Sequence, residues 1–95
     1  MILSWETIRE NREYRASQCG MEFWISKEPS STWVLMVKHP WDSEWSCLGG
    51  SDRINGDNVL AQIASDHYNR WQNSEKGGQY LLKFLHERFR EMKNE

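Results

Sequence analysis

Proline is scarce in this 95-residue chain, with Pro29 and Pro40 alone, and cysteine is limited to Cys19 and Cys47. Two thiols cannot build a disulfide framework. They are expected to be reduced and to serve as small apolar residues. No apolar run approaches the roughly 20 residues needed to span a bilayer. The opening Met-Ile-Leu-Ser-Trp-Glu has neither the basic stretch nor the long apolar stretch of a secretory signal. Together these absences predict a cytoplasmic protein. Strong charge of one sign is missing too: 12 Lys and Arg face 14 Asp and Glu, for a net charge of −2. A nucleic-acid binder needs a concentrated positive face, so this balance makes nucleic acid an unexpected partner. There is no repeat and no low-complexity stretch, and the length fits one domain.

Chemical motifs are equally sparse. His39, His67 and His86 form no ligand spacing with one another or with a cysteine, so neither metal nor cofactor is expected. His67 falls on the apolar stripe of its segment and reads as a half-buried, satisfied histidine. His39 precedes a proline in a turn and reads as solvated. No local signature surrounds Cys47, and a thiol nucleophile needs a base within hydrogen-bond reach. Gly49-Gly50-Ser51 lacks the glycine spacing and the Lys-Ser/Thr ending of a phosphate loop and reads as the end of a strand. The chain is therefore expected not to be an enzyme.

What the chain does have is tryptophan: Trp5, Trp24, Trp33, Trp41, Trp45 and Trp71. Residues 21–27 and 32–38 carry the aromatic and β-branched content of strands, and 44–48 a third, short one. Turn chemistry separates them at Glu28-Pro29-Ser30-Ser31 and His39-Pro40-Trp41-Asp42-Ser43. Residues 12–18 alternate weakly, as an edge strand would, and residues 4–11 fit a short helix or a strand. Helical spacing then places Leu60, Ile63, Ala64, His67 and Trp71 on one face over 57–72, with Asn55 or Asp57 as cap. A turn at 73–78 leads to a second helix over 79–93, striped by Leu81, Leu85, Phe89 and Met92, with Leu82 and Phe84 beside them. The expected fold is α+β: a three-stranded antiparallel meander followed by two amphipathic helices.

A four-residue turn at 28–31 would pair Ile25 with Val34 and Phe23 with Met36. One sheet face then carries Met21, Phe23, Ile25, Val34 and Met36, and the other Trp24, Trp33, Leu35 and Val37. Both faces are apolar. The expected solution lays one helix on each. The alternative stacks both helices on one side and leaves the tryptophan-rich face to another protein. In that reading Trp24, Trp33, Leu35, Trp41 and Trp45 form the binding surface. A homodimer would be another way to enlarge so small a core.

The order of elements, with a strand ending in Leu48-Gly49-Gly50 and a helix reading Leu60-Ala61-Gln62-Ile63-Ala64-Ser65-Asp66-His67-Tyr68-Asn69-Arg70-Trp71, resembles small phage- and prophage-encoded accessory proteins. The resemblance covers residues 21–72. It implies a small non-enzymatic inhibitor of the anti-CRISPR type, one that covers a surface on a bacterial host defence protein. Such proteins share no common active site, so no functional residue carries over. With 4–11 read as a helix, the order is also similar to the double-stranded-RNA-binding fold, but Asp57-Asn58-Val59-Leu60 stands where that fold has a basic helix start. A nucleic-acid module that stacks bases on aromatic rings is the alternative function.

Overall fold

The computed structural model describes residues 3–93. It is α+β, as expected, but the sheet has five strands rather than three: β1 Trp5–Arg9, β2 Glu13–Gln18, β3 Met21–Lys27, β4 Trp33–Lys38 and β5 Ser46–Ser51. All pairings are antiparallel, and the spatial order β1-β2-β3-β4-β5 follows the chain. Two helices follow, α1 Gly56–Gln72 and α2 Glu75–Lys93.

The additional strands come from the ambiguous N-terminal stretch. Residues 5–9 are a strand, not a helix, because Asn11 and the next residues turn the chain back on itself. Asn11 takes the left-handed conformation (φ 59°), which asparagine tolerates, and its N–H donates to the Tyr14 hydroxyl at 3.0 Å. The β2–β3 connection is the two-residue turn Cys19-Gly20, with both residues at positive φ (50° and 82°), the geometry that matches strand twist in tight hairpins.

The expected β3–β4 register is off by one residue. The loop closes between Glu28 N–H and the Thr32 carbonyl at 2.9 Å, with Ser31 left-handed (φ 70°), so it holds five residues instead of four. Lys27 therefore pairs with Trp33, Ile25 with Leu35 and Phe23 with Val37. The slip moves every β4 side chain to the opposite face. Met21, Phe23, Ile25, Trp33, Leu35 and Val37 all point to one face and are buried. Trp24, Val34 and Met36 point to the other and are half-buried.

Only the first face is covered by a helix. Leu60, Ala64 and Tyr68, spaced by four on α1, are fully buried against it, and α1 lies against β3, β4 and β5. Each large side chain so buried contributes roughly 1.5–3 kcal/mol. One glycine permits the approach: a Cβ on Gly56 would sit 2.7 Å from the Trp33 ring, whereas one on Gly49 would meet Leu60 at 3.6 Å, an ordinary contact. Gly49 and Gly50 thus lie inside β5 and not at its end.

α2 does not cover the second face. Its backbone lies against α1 and against no strand, so the expectation of one helix per face fails. Its start is also earlier than the expected 79. Ser74 caps it: the Gly77 N–H donates to Ser74 Oγ at 3.1 Å, and that hydroxyl donates to the Trp71 carbonyl at 2.6 Å. Gly77 is where the two helices cross, since a Cβ there would lie 1.9 Å from the Trp71 carbonyl oxygen. Asn55 occupies the cap position of α1 but makes no side-chain capping bond. The molecule measures 49 × 28 × 25 Å. A 19-residue helix is ~28 Å long at 1.5 Å per residue, and α2 leaves the body as an arm.

Candidate interaction surface

The five residues expected to form one binding surface fall in three places. Trp33 and Leu35 are in the core beneath α1, 4% and 0% exposed; the register slip took them off the face that holds Trp24. Trp24 and Trp45 are together on the open face, edge to face with centroids 5.7 Å apart. Arg15, opposite Trp24 on β2, lies over both rings, its guanidinium carbon 4.8 Å from one centroid and 5.9 Å from the other. The Trp24 indole N–H is buried here without a hydrogen-bond partner. The cation that an aromatic pair could recruit comes from the same chain, and Glu13 stands at 4.0 Å from the guanidinium.

Trp41 belongs to a third cluster, at the junction of the two helices. The 39–45 loop lays its ring against Trp71 of α1 (6.2 Å between centroids) and Tyr80 of α2 (6.3 Å), stacks it on His39 at 5.2 Å, and brings Lys76 Nζ to 4.0 Å from its centre. Beneath it runs a chain of polar contacts. Asp42 Oδ2 accepts from the His39 backbone N–H at 3.0 Å and from His39 Nδ1 at 2.8 Å. His39 Nε2 faces His67 Nε2 at 3.2 Å. His39 is therefore not the solvated turn residue the sequence suggested. The His39 backbone N–H first, and its ring N–H second, hold the Asp42 carboxyl below the usual carboxylate range. Burial first, then the charges of His39 and Arg70, hold His67 below the ordinary histidine range. Phe23 packs edge-on against the same ring. Both nitrogens of His39 are thus engaged, one by a carboxylate and one by a second imidazole. Among the described residues no three metal-ligating side chains come together. At the next residue of α1, burial pushes the Tyr68 phenol up to about 12, with the Cys19 thiol beside it.

The largest uncovered apolar feature is on α2. Leu82, Leu85 and Phe89 are 64%, 51% and 66% exposed, while Leu81 and Tyr80 turn back toward the core. The three line an open groove of ≈ 500 Å³ whose other walls are His86 and Arg90. The sequence shows this stripe, at helical spacing, but not that it lacks a cover. The side chain of Met92, expected to continue it, lies outside the described residues. Glu87 falls on the opposite side of the helix, so the border of the stripe is basic.

The chain matches no protein-family model, no curated protein and no solved structure.

Proposed function

We propose that this is a non-enzymatic protein-binding module that works by seating the α2 arm on a partner, as an inhibitor that covers a surface of a bacterial host protein. The observation that carries the reading is the exposure of Leu82, Leu85 and Phe89 on a helix whose backbone, among the described residues, lies against α1 and not against the sheet. Their spacing of three and four presents anchors as helix-in-groove recognition requires. Three such side chains left in water forgo several kcal/mol that a partner would recover. Arg90 on the border of the stripe, with the His86 ring beside it, favours a partner groove rimmed by acidic groups. A second copy is the competing occupant: a two-fold pairing sets each residue against a different one across the axis, and sedimentation tests it. The resemblance of residues 21–72 to phage accessory proteins supports a host defence protein as the target.

The test uses the full chain. L85D and F89D variants should keep the wild-type melting temperature and lose capture of the host protein, while W24A should retain capture. A synthetic amphipathic helix with leucine anchors and glutamate borders should bind wild type at least tenfold more tightly than the same helix with lysine borders. Equal binding of the two peptides, or a stable dimer in sedimentation that L85D dissolves, would overturn the acid-bordered partner.

A further inference from the structure

The His39–His67 contact admits two readings, a shared metal ion or a shared proton, and its geometry separates them. The nitrogens are 3.2 Å apart and the ring centroids 5.4 Å apart. Those two distances mean that the rings point at each other almost head-on, as in an N–H···N hydrogen bond. A tetrahedral ion ~2.1 Å from each nitrogen would sit off that line and draw the centroids in to about 5 Å. The proton is the better fit.

Its position follows from Asp42. The carboxylate accepts from His39 Nδ1, so that nitrogen carries the proton and Nε2 is bare. His67 then donates from its own Nε2. One added proton can be accommodated: whichever ring becomes charged, the pair can still set one N–H against one bare nitrogen. A second cannot. Both nitrogens would then be donors, and two positive rings would face each other at 3.2 Å. The surroundings give that second proton little support. Arg70 on α1 and Lys76 on α2 are the neighbouring cations. Asp42 is the anion that counters them and is already spent on His39. The Tyr68 phenol, pushed up to about 12, bears no charge near neutrality, and Lys38, next to His39 in the chain, is paired in register with Glu22 across the strands.

We propose that the Asp42–His39–His67 chain is an acid-sensitive latch that fastens the 39–45 loop to α1 and, through Trp41, sets how the α2 arm is seated. Trp41 is the link. It stacks on His39 on one side and meets Trp71, Tyr80 and Lys76 on the other. When the two rings part, Trp41 loses its support and the junction at which α2 leaves α1 loosens. The step that opens the latch is the second proton on the pair, and burial holds His67 below the ordinary histidine range.

The experiment follows the six indole N–H signals by NMR as pH is lowered from about 8 to about 4.5, the range in which histidine pairs titrate. Trp41→Phe assigns the Trp41 signal. In wild type that signal should shift reversibly while backbone dispersion persists. Long-range ring spectra at the upper pH should show His39 protonated at Nδ1 and His67 at Nε2. In His67→Gln the amide N–H can still donate to His39 but takes up no proton, so the repulsion between two charged rings is gone and the Trp41 shift should shrink at least several-fold. A Trp41 signal that stays fixed in wild type, a shift unchanged in His67→Gln, or His39 protonated at Nε2 would each overturn the latch. The ring assignment is made on wild type and decides the matter even if the glutamine variant does not fold.

Discussion

The two helices carry the same kind of sequence and meet opposite fates. Each has a leucine- and aromatic-rich stripe at helical spacing. In α1 the stripe of Leu60, Ala64 and Tyr68 is sealed against the sheet, and in α2 the stripe of Leu82, Leu85 and Phe89 faces solvent. A small residue makes part of the difference: Gly56 lets α1 start over Trp33. α2 has its own glycine, Gly77, which holds it close against the end of α1. Amphipathicity therefore says that a face wants covering; the close approaches at Gly56 and Gly77 say which stripe this chain covers and which stays exposed.

The comparison is broken most sharply at the core. Leu35→Ala or Trp33→Ala, on the sheet face under α1, should cost about 3–5 kcal/mol, read as a lower midpoint in chemical denaturation. Leu85→Ala on the arm should change stability by no more than about 0.5 kcal/mol, as exposed substitutions do. A large loss at Leu85 would mean that the arm is packed in solution. Next in size is the crossing point. Gly77→Ala forces a methyl onto the Trp71 carbonyl and should cost about 1–3 kcal/mol, as overpacking does. Its neighbour Gly78 has nothing nearer than 3.9 Å, so Gly78→Ala should stabilise by about 0.5–1 kcal/mol through better helix propensity. Thermal melts of the pair should move in opposite directions.

Acid gives the smallest effect. His67 is held below its unfolded value of 6.5, so the folded state binds fewer protons than the unfolded chain. The stability it contributes is fully present above that value and is lost as pH falls through the lower, folded one. Denaturation midpoints should decline from neutrality toward mild acid, and His67→Gln should flatten that decline.

Much of this architecture is legible in the sequence, and the exceptions have local causes. β3, β4 and both helices follow from periodicity. The register does not, because the left-handed residue that lengthens the β3–β4 loop is Ser31, where glycine or asparagine would have announced it. The β5 glycines read as punctuation but lie inside the strand, Gly50 close against the Trp33 carbonyl. The start of α2 was hidden in Asn73-Ser74-Glu75, where a capping serine passes for a turn. In the candidate surface, the α2 stripe could be read and its exposure could not. Trp33 and Leu35 went with the register. The His39–His67 pair joins residues 28 apart, and no spacing rule connects a turn histidine to one on a helix.

The sheet order repeats the chain order, so every strand pairs with its predecessor across a short connection. Closing such loops costs little chain entropy, and topologies built from near neighbours reach their transition state quickly. The hairpins can form one after another as the chain is made. The step that waits is the descent of α1 onto strands more than one connection away. α2 then adds Tyr80 and Leu81 to the edge of that core, while its outer stripe of Leu82, Leu85 and Phe89 takes no part in closing it.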